Sequence, residues 1–282
     1  MVENRPILDF ICHLILIAGV VVVIFPVYIA VIASTHGPYD FMSGLIPLLP
    51  GSQAAENYSV MLGTGISSSG TPPLWPMLLN SLIMALGVAI GKIVISILSA
   101  FAIVYFRFPL RKVFFWMVFL TLMLPIEVRI IPTFKVASDL HLLNSYQGLI
   151  LPLIASATAT FLFRQFFLTI PEELAEAARI DGAGPMRFFW DVVVPLSRTN
   201  LAALFVILFI FGWNQYLWPL LVTTQESMYT TVIGIKRMIA GGDAYNEWNL
   251  IMATAMLALM PPALVVVLMQ KWFVKGLVET EK

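Results

Sequence analysis

A chain of 282 residues with 11% charged and 60% hydrophobic side chains has a mean hydropathy of +0.91. Soluble domains carry about 25% charged residues, so the composition excludes a soluble enzyme and fits one polytopic membrane domain in the lipid bilayer. Zero net charge gives no pull toward nucleic acid, the single Cys12 permits no internal disulfide, three scattered histidines offer no metal-ligand cluster, and no Gly-Lys-Ser/Thr phosphate loop is present.

In chain order, a polar start leads into a first expected span at 10–32, 23 residues with His13 as the strongly polar exception. That length exceeds a signal-peptide core and suits a retained anchor. The segment 33–76 carries only Asp40 and Glu56 as charges, and its apolar patch 41–49 reads as a short interfacial helix or loop. The second span, 77–104, is interrupted by Lys92 and followed by Arg107, Arg111 and Lys112. The third, 113–132, ends near Pro132 with Glu127 and Arg129 at its far end, and a mixed loop follows. The fourth, 148–167, is rich in small residues from Ala155 to Thr160, which permit close helix packing in lipid. The fifth, 201–222, contains Trp213-Asn214-Gln215-Tyr216-Leu217-Trp218-Pro219. A polar loop, 223–249, precedes the sixth span, 250–273, broken by Pro261-Pro262. The expected fold is all-α, six transmembrane helices in a single domain over 1–282.

Six spans put both termini on one side. Eleven of the 16 Lys and Arg fall at the termini (counting Lys271, at the end of the last span, with the tail), at 105–112 and at 164–198, against four in the opposite loops. That bias makes the termini and the 164–198 segment cytoplasmic. No internal repeat relates the halves, and six helices make a small pathway, so a second membrane subunit is expected to complete it.

The most polar long stretch is 169–195, with five acids and two arginines between two apolar spans. It reads as two short helices and a bend. Thr169 and Glu172 have capping-box spacing, Pro171 fits a first turn, Gly182 suits the C′ position, Pro185 opens the second helix, and Pro195 ends or kinks it. The methyl side chains of Ala177 and Ala178 let another surface approach closely.

Glu176-Ala177-Ala178, then Gly182, then Val192-x-Val194-Pro195 resembles the coupling loop of ABC importer permeases, with Val where that family usually has Ile and Leu. Arg107-Phe108-Pro109, Leu124-Pro125, Ile131-Pro132 and the 213–219 stretch extend the likeness to the carbohydrate-uptake branch, which includes the maltose permeases. Narrower stretches (Glu3-Asn4-Arg5-Pro6, 123–130 and 156–167) resemble permeases for sn-glycerol 3-phosphate. The resemblance implies a type I ABC importer permease in a bacterial inner membrane. Its partners would be a second permease, two ATPase subunits holding ATP and Mg, and a periplasmic binding protein. It makes Glu176, Ala177, Ala178, Asp181, Gly182 and Pro195 ATPase-coupling residues, and points Gly234, Lys236 and Arg237, in the loop before the last span, at the binding protein.

Four residues are candidates for the pathway. A central Lys costs about 2.5–3.5 kcal/mol on insertion scales, so Lys92 faces protein or water, either attracting a phosphorylated cargo or reaching an interface or partner. Arg129 suits bidentate phosphate binding, a gate or interface anchoring. Asn214 and Gln215 either bond cargo hydroxyls or tie helices together, while Trp213 and Trp218 read as packing or interfacial residues. Two other classes compete. An ion-coupled carrier often buries carboxylates, which are missing mid-span here. A membrane enzyme would gather His, Asp and Glu at one face, where His13, His36 and His141 instead lie at scattered depths.

Overall fold

Apolar runs of span length, separated by proline and glycine breaks, produce helices and almost nothing else. The computed structural model describes residues 6–41, 47–66, 71–121, 126–240 and 247–278. Its helices are α1 (Pro6–Ala33), α2 (Ala54–Gly63), α3 (Leu74–Tyr105), α4 (Arg111–Leu120), α5 (Ile126–Asp139), α6 (Tyr146–Ile150) and α7 (Ala157–Phe167). They continue as α8 (Glu172–Ile180), α9 (Pro185–Phe188), α10 (Val194–Leu196), α11 (Arg198–Trp213), α12 (Leu217–Val222), α13 (Thr231–Ala240) and α14 (Trp248–Val278). Among the described residues the only extended pairing is between Ile66 and Thr71.

Three segments are long and apolar enough to cross a membrane alone: Ile7–Ala33, Leu74–Tyr105 and Trp248–Trp272. Two bent pairs raise the number to five, Tyr146–Leu153 with Ala157–Phe167 (49°) and Pro185–Leu196 with Arg198–Trp213 (73°). The expected third span falls on α4 and α5, whose junction lies outside the described residues.

Several expectations need correction. The helix does not break at Pro261-Pro262, and α14 runs through both. Proline is tolerated inside membrane-crossing helices, where local adjustment and neighbouring groups re-satisfy the freed carbonyls. Likewise α5 continues past Pro132 to Asp139, with a Lys135–Asp139 ion pair of 3.1 Å in its last turn. The fourth span is not continuous. A 3₁₀ turn at Leu151–Leu153 precedes α7, whose first turn Ser156 caps by accepting from the Ala159 amide at 3.3 Å. The fifth breaks between α11 and α12, where the Pro219 ring would meet the Gln215 carbonyl in an unbroken helix. The expected loops 33–76 and 223–249 contain α2 and α13.

The chain divides into two compact units. The first, Met1–Trp75 with Gly234–Met260, has a core of Met61, Ile66, Met238, Leu250 and Ile251. Buried Asn57 ties it together by donating to the Ser34 and His36 carbonyls, both at 2.8 Å, and accepting from Asn249 at 2.9 Å. Most of α1 is exposed, Val22 by 71% for example, as suits a helix whose solvent is lipid.

The second unit, Pro76–Ile233 with Pro261–Lys282, packs α3 against α7 and α11. Small residues set the spacing there. A Cβ on Gly212 would sit 2.9 Å from the Ala85 Cα, and one on Gly87 2.5 Å from Ile150. Ala159 and Thr160, from the small-residue run, are buried. Buried Asn80 donates to the Ser227 and Tyr229 carbonyls (2.8 and 3.0 Å) and accepts from the Tyr146 hydroxyl (2.7 Å).

Candidate functional site

The 169–195 loop folds as two short helices around a bend. Helix α8 starts at Glu172 behind Pro171, whose extended backbone (φ −56°, ψ 136°) sets the entry. Thr169 does not cap it. Its hydroxyl donates backward to the Phe166 carbonyl at 2.7 Å, closing α7 instead, so the capping-box expectation is corrected. Glu172 and Glu173 lie in the first turn, where the helix dipole favours acids.

The far end of α8 is a complete Schellman closure. The Ala183 amide donates to the Ala178 carbonyl at 2.8 Å and the Gly182 amide to Arg179 at 3.0 Å. Gly182 takes φ +73°, which disfavours any residue with a Cβ. Gly184 then leads into α9, with Pro185 at its first position as expected. A π turn follows at Phe189–Val193, with the Val194 amide reaching back to the Phe189 carbonyl. Pro195 has no amide to give Asp191, and its ring crowds that carbonyl, which widens the turn before the 73° bend.

The loop is anchored by one face. Ala175 is buried, and Ala178 packs half-buried against the same cluster as Phe101, Tyr105, Phe188 and Phe189. The Phe101 and Phe189 rings lie 4.9 Å apart and those of Tyr105 and Phe188 5.1 Å. The other face is open. Glu176, Ala177 and Asp181 are exposed, and among the described residues neither carboxylate has a hydrogen bond or ion pair. Ile180 (85% exposed), Met186 and Trp190 add apolar surface. The Ala177-Ala178 pair therefore divides, one methyl facing outward and one supporting the loop.

The pathway candidates lie elsewhere in the same unit. Lys92 is 8% exposed in mid-α3, with its Nζ 3.7 Å from the centroid of the Phe211 ring. Arg129 is exposed on α5. The Glu127 side chain lies outside the described residues. Asn214 is exposed at the break after α11, and Gln215 donates to the Phe211 carbonyl at 3.2 Å. Trp213 and Trp218 are buried packing residues, and the Trp218 indole donates to the Gly148 carbonyl at 3.0 Å. Of the remaining three, Gly234 is buried while Lys236 and Arg237 are exposed on α13. Sequence reasoning missed Phe211, whose role depends on a contact between α3 and α11.

Comparison with known proteins agrees with this architecture. Residues 92–279 match the family model described as binding-protein-dependent transport system inner membrane component. The chain is 60% identical to the sn-glycerol-3-phosphate transport system permease protein UgpE of Rhizobium meliloti (strain 1021), and 61% identical to the protein of that name from Agrobacterium fabrum (strain C58 / ATCC 33970). It is 58% identical to that of Yersinia pestis bv. Antiqua (strain Antiqua), and each match covers all of both chains. Among solved structures, a bacterial ABC transporter involved in the import of the acidic polysaccharide alginate has a chain of the same fold, with a TM-score of 0.82 and 21% identity over 97% of this chain and 99% of that one. A helical, multi-pass chain matched along its full length by permeases of one kind belongs to the family of binding-protein-dependent transport system inner membrane components.

Proposed function

We propose that this chain is the permease subunit of an ATP-driven importer for sn-glycerol 3-phosphate. The observation that carries the reading is full-length identity of 57–61% to permeases named for that cargo. It would work with a second permease, two ATPase subunits that bind ATP and Mg, and a periplasmic binding protein. Both termini and the 169–195 loop would face the cytoplasm, a reading the Lys and Arg distribution supports.

In this reading the exposed face of α8 is what the ATPase grips. Glu176 and Asp181 offer unpartnered carboxylates, Ala177 allows close approach, and the apolar patch around Ile180 supplies area to bury. The anchored face joins that contact to α3, so a push on α8 reaches the end of a membrane-crossing helix through Ala175 and Phe101. Lys236 and Arg237 would meet the binding protein. Lys92, Arg129, Asn214 and Gln215 would line the cargo route.

The test is ATPase activity of the assembled complex. Binding protein presented with sn-glycerol 3-phosphate should stimulate hydrolysis, and the Glu176→Gln, Asp181→Asn double variant should lose the stimulation while the subunits still copurify. Stimulation only by a neutral sugar such as maltose would move the chain to another cargo of the same branch.

A further inference from the structure

Basic residues are common where a helix leaves a membrane. At the junction of α3 and α4 they are gathered around one hollow. Arg107, Arg111 and Lys112 line an open concavity of about 590 Å³ together with Phe108 and Leu110. That size suits a small ligand or a headgroup. Arg111 is steadied by donating to the Phe106 carbonyl at 3.3 Å, which leaves most of its fork of donors uncommitted. A fourth cation approaches the same end of α4 from α7. The Arg164 Cζ lies 4.2 Å from the centroid of the Phe115 ring, and Phe115 shares a face of α4 with Arg111 and Lys112, one turn before it. The Arg164 Nε is covered and has no hydrogen-bond partner. None of the four cations forms an ion pair among the described residues.

Like charges gathered without acids repel one another, and an anion is the group that offsets them. The composition of α4 says what kind of anion. Its cations, Arg111 and Lys112, stand at the first two positions, residues 113–120 are all apolar, and the helix has no buried residue. Leu110, Val113, Phe114 and Trp116 are exposed around and beyond the cations. Cations at one level, with exposed apolar side chains running away from them, match a lipid whose phosphate sits above its acyl chains. A water-soluble anion or an acidic loop would leave the apolar side chains unmatched. Trp116, one turn beyond Lys112, stands where an aromatic ring meets the headgroup boundary. Leu74–Tyr105 is long and apolar enough to cross a membrane, so the hollow lies where that helix leaves the hydrocarbon.

We propose that the hollow between α3 and α4 is a binding site for the headgroup of an anionic phospholipid. Exposed Arg107 and Lys112 gather the phosphate, and half-buried Arg111 meets it with a planar fork. Arg164, held against Phe115, adds positive potential one turn along and makes no direct contact. The acyl chains lie along the exposed side chains of α4. A lipid held there lies beside the end of α3 against which the 169–195 loop packs. The inference is independent of the cargo.

The test is native mass spectrometry of the assembled complex in neutral detergent, titrated with phosphatidylglycerol and, separately, with zwitterionic phosphatidylethanolamine. The parent should hold phosphatidylglycerol more tightly, and the Arg107→Gln, Arg111→Gln, Lys112→Gln triple variant should retain one fewer phosphatidylglycerol. Each single change should weaken that lipid about fivefold, as one basic residue at an anionic surface predicts, and Arg164→Met by less. Arg198→Gln, which removes an exposed cation at the start of α11, should change neither count nor affinity. Arg107→Gln and Lys112→Gln, both at exposed positions, carry the test if the triple variant does not assemble. No preference for phosphatidylglycerol in the parent, or an unchanged count in the triple variant, would overturn the site. A loss in Arg198→Gln equal to that in Arg111→Gln would reduce it to diffuse surface charge and overturn it too. Inorganic phosphate in excess should leave the lipid in place, and displacement would assign the hollow to free phosphate instead. A triple variant that sheds a subunit while its permease keeps the full lipid count would assign the cations to an acidic protein partner, against the proposal.

Discussion

The Ala183 amide closes on the Ala178 carbonyl at 2.8 Å, and the intervening Gly182 has to turn left-handed for that bond to form. Nothing lies within 4 Å of a Cβ built on Gly182, so a substitution there meets conformational strain and no clash. Gly182→Val should weaken the closure by about 1–3 kcal/mol, and Gly182→Asn, which tolerates the left-handed region, by less. Hydrogen exchange at the Ala183 amide should quicken in the Val variant, and cargo-stimulated ATPase should fall with the subunits still assembled. Normal stimulation with a loosened amide would separate the bend from coupling.

Ala177 and Ala178 should respond in opposite ways. Ala177→Leu projects from the exposed face and should leave the melting temperature of the isolated permease alone while blocking stimulation by the ATPase partner. Ala178→Leu overpacks the contact with Phe101 and Phe188 and should cost about 1–3 kcal/mol of stability. Thermal unfolding in detergent beside ATPase assays on the complex distinguishes them. Equal melting losses in the two variants would contradict the division of the pair.

How far the sequence could be read depends on how local each cause is. The Asp181-Gly182 turn, the Pro185 start and the Pro195 bend are local backbone chemistry, and all three were legible. Thr169 misled because capping-box spacing says nothing of the adjacent Pro171, which moves the helix start two residues on. Pro261-Pro262 misled because proline is tolerated within a membrane-crossing helix, here one of 31 residues. Helices α2 and α13 lie in stretches too polar to announce themselves as spans. The meeting of Lys92 and Phe211 is set by the packing of α3 against α11, which no local pattern records.

Asn80 is a stability prediction. It is 3% exposed and its side chain satisfies two carbonyls and one hydroxyl. Asn80→Leu would leave buried groups unpaired at about 1–3 kcal/mol each, so a clear drop in thermal stability is expected, with Tyr146→Phe costing less. A melting temperature unchanged in Asn80→Leu would show the network contributes nothing net.

The His36–Asp40 pair gives a pH dependence. His36 lies above its ordinary 6.5 because the Leu49 carbonyl, and then Asp40, accept from its ring. Asp40 lies below its ordinary 3.8 through the Gly37 amide and His36. The His36 contribution is complete below 6.5 and fades as pH rises through its raised value, while that of Asp40 is present above 3.8 and fades as pH falls. The tie is strongest between these limits. An NMR titration of His36 should show a midpoint above 6.5 that falls, without vanishing as a shift, in Asp40→Asn. A midpoint at or below 6.5 in the parent protein would contradict the geometry.

The most direct measurement is uptake of labelled sn-glycerol 3-phosphate by proteoliposomes holding the assembled complex with its binding protein. Internal ATP is compared with an imposed proton or sodium gradient. Uptake that needs both ATP and binding protein, and is abolished in the Glu176→Gln, Asp181→Asn double variant, is the predicted result. Uptake that follows the ion gradient and ignores ATP would contradict the account, and with it the role given to the 169–195 loop.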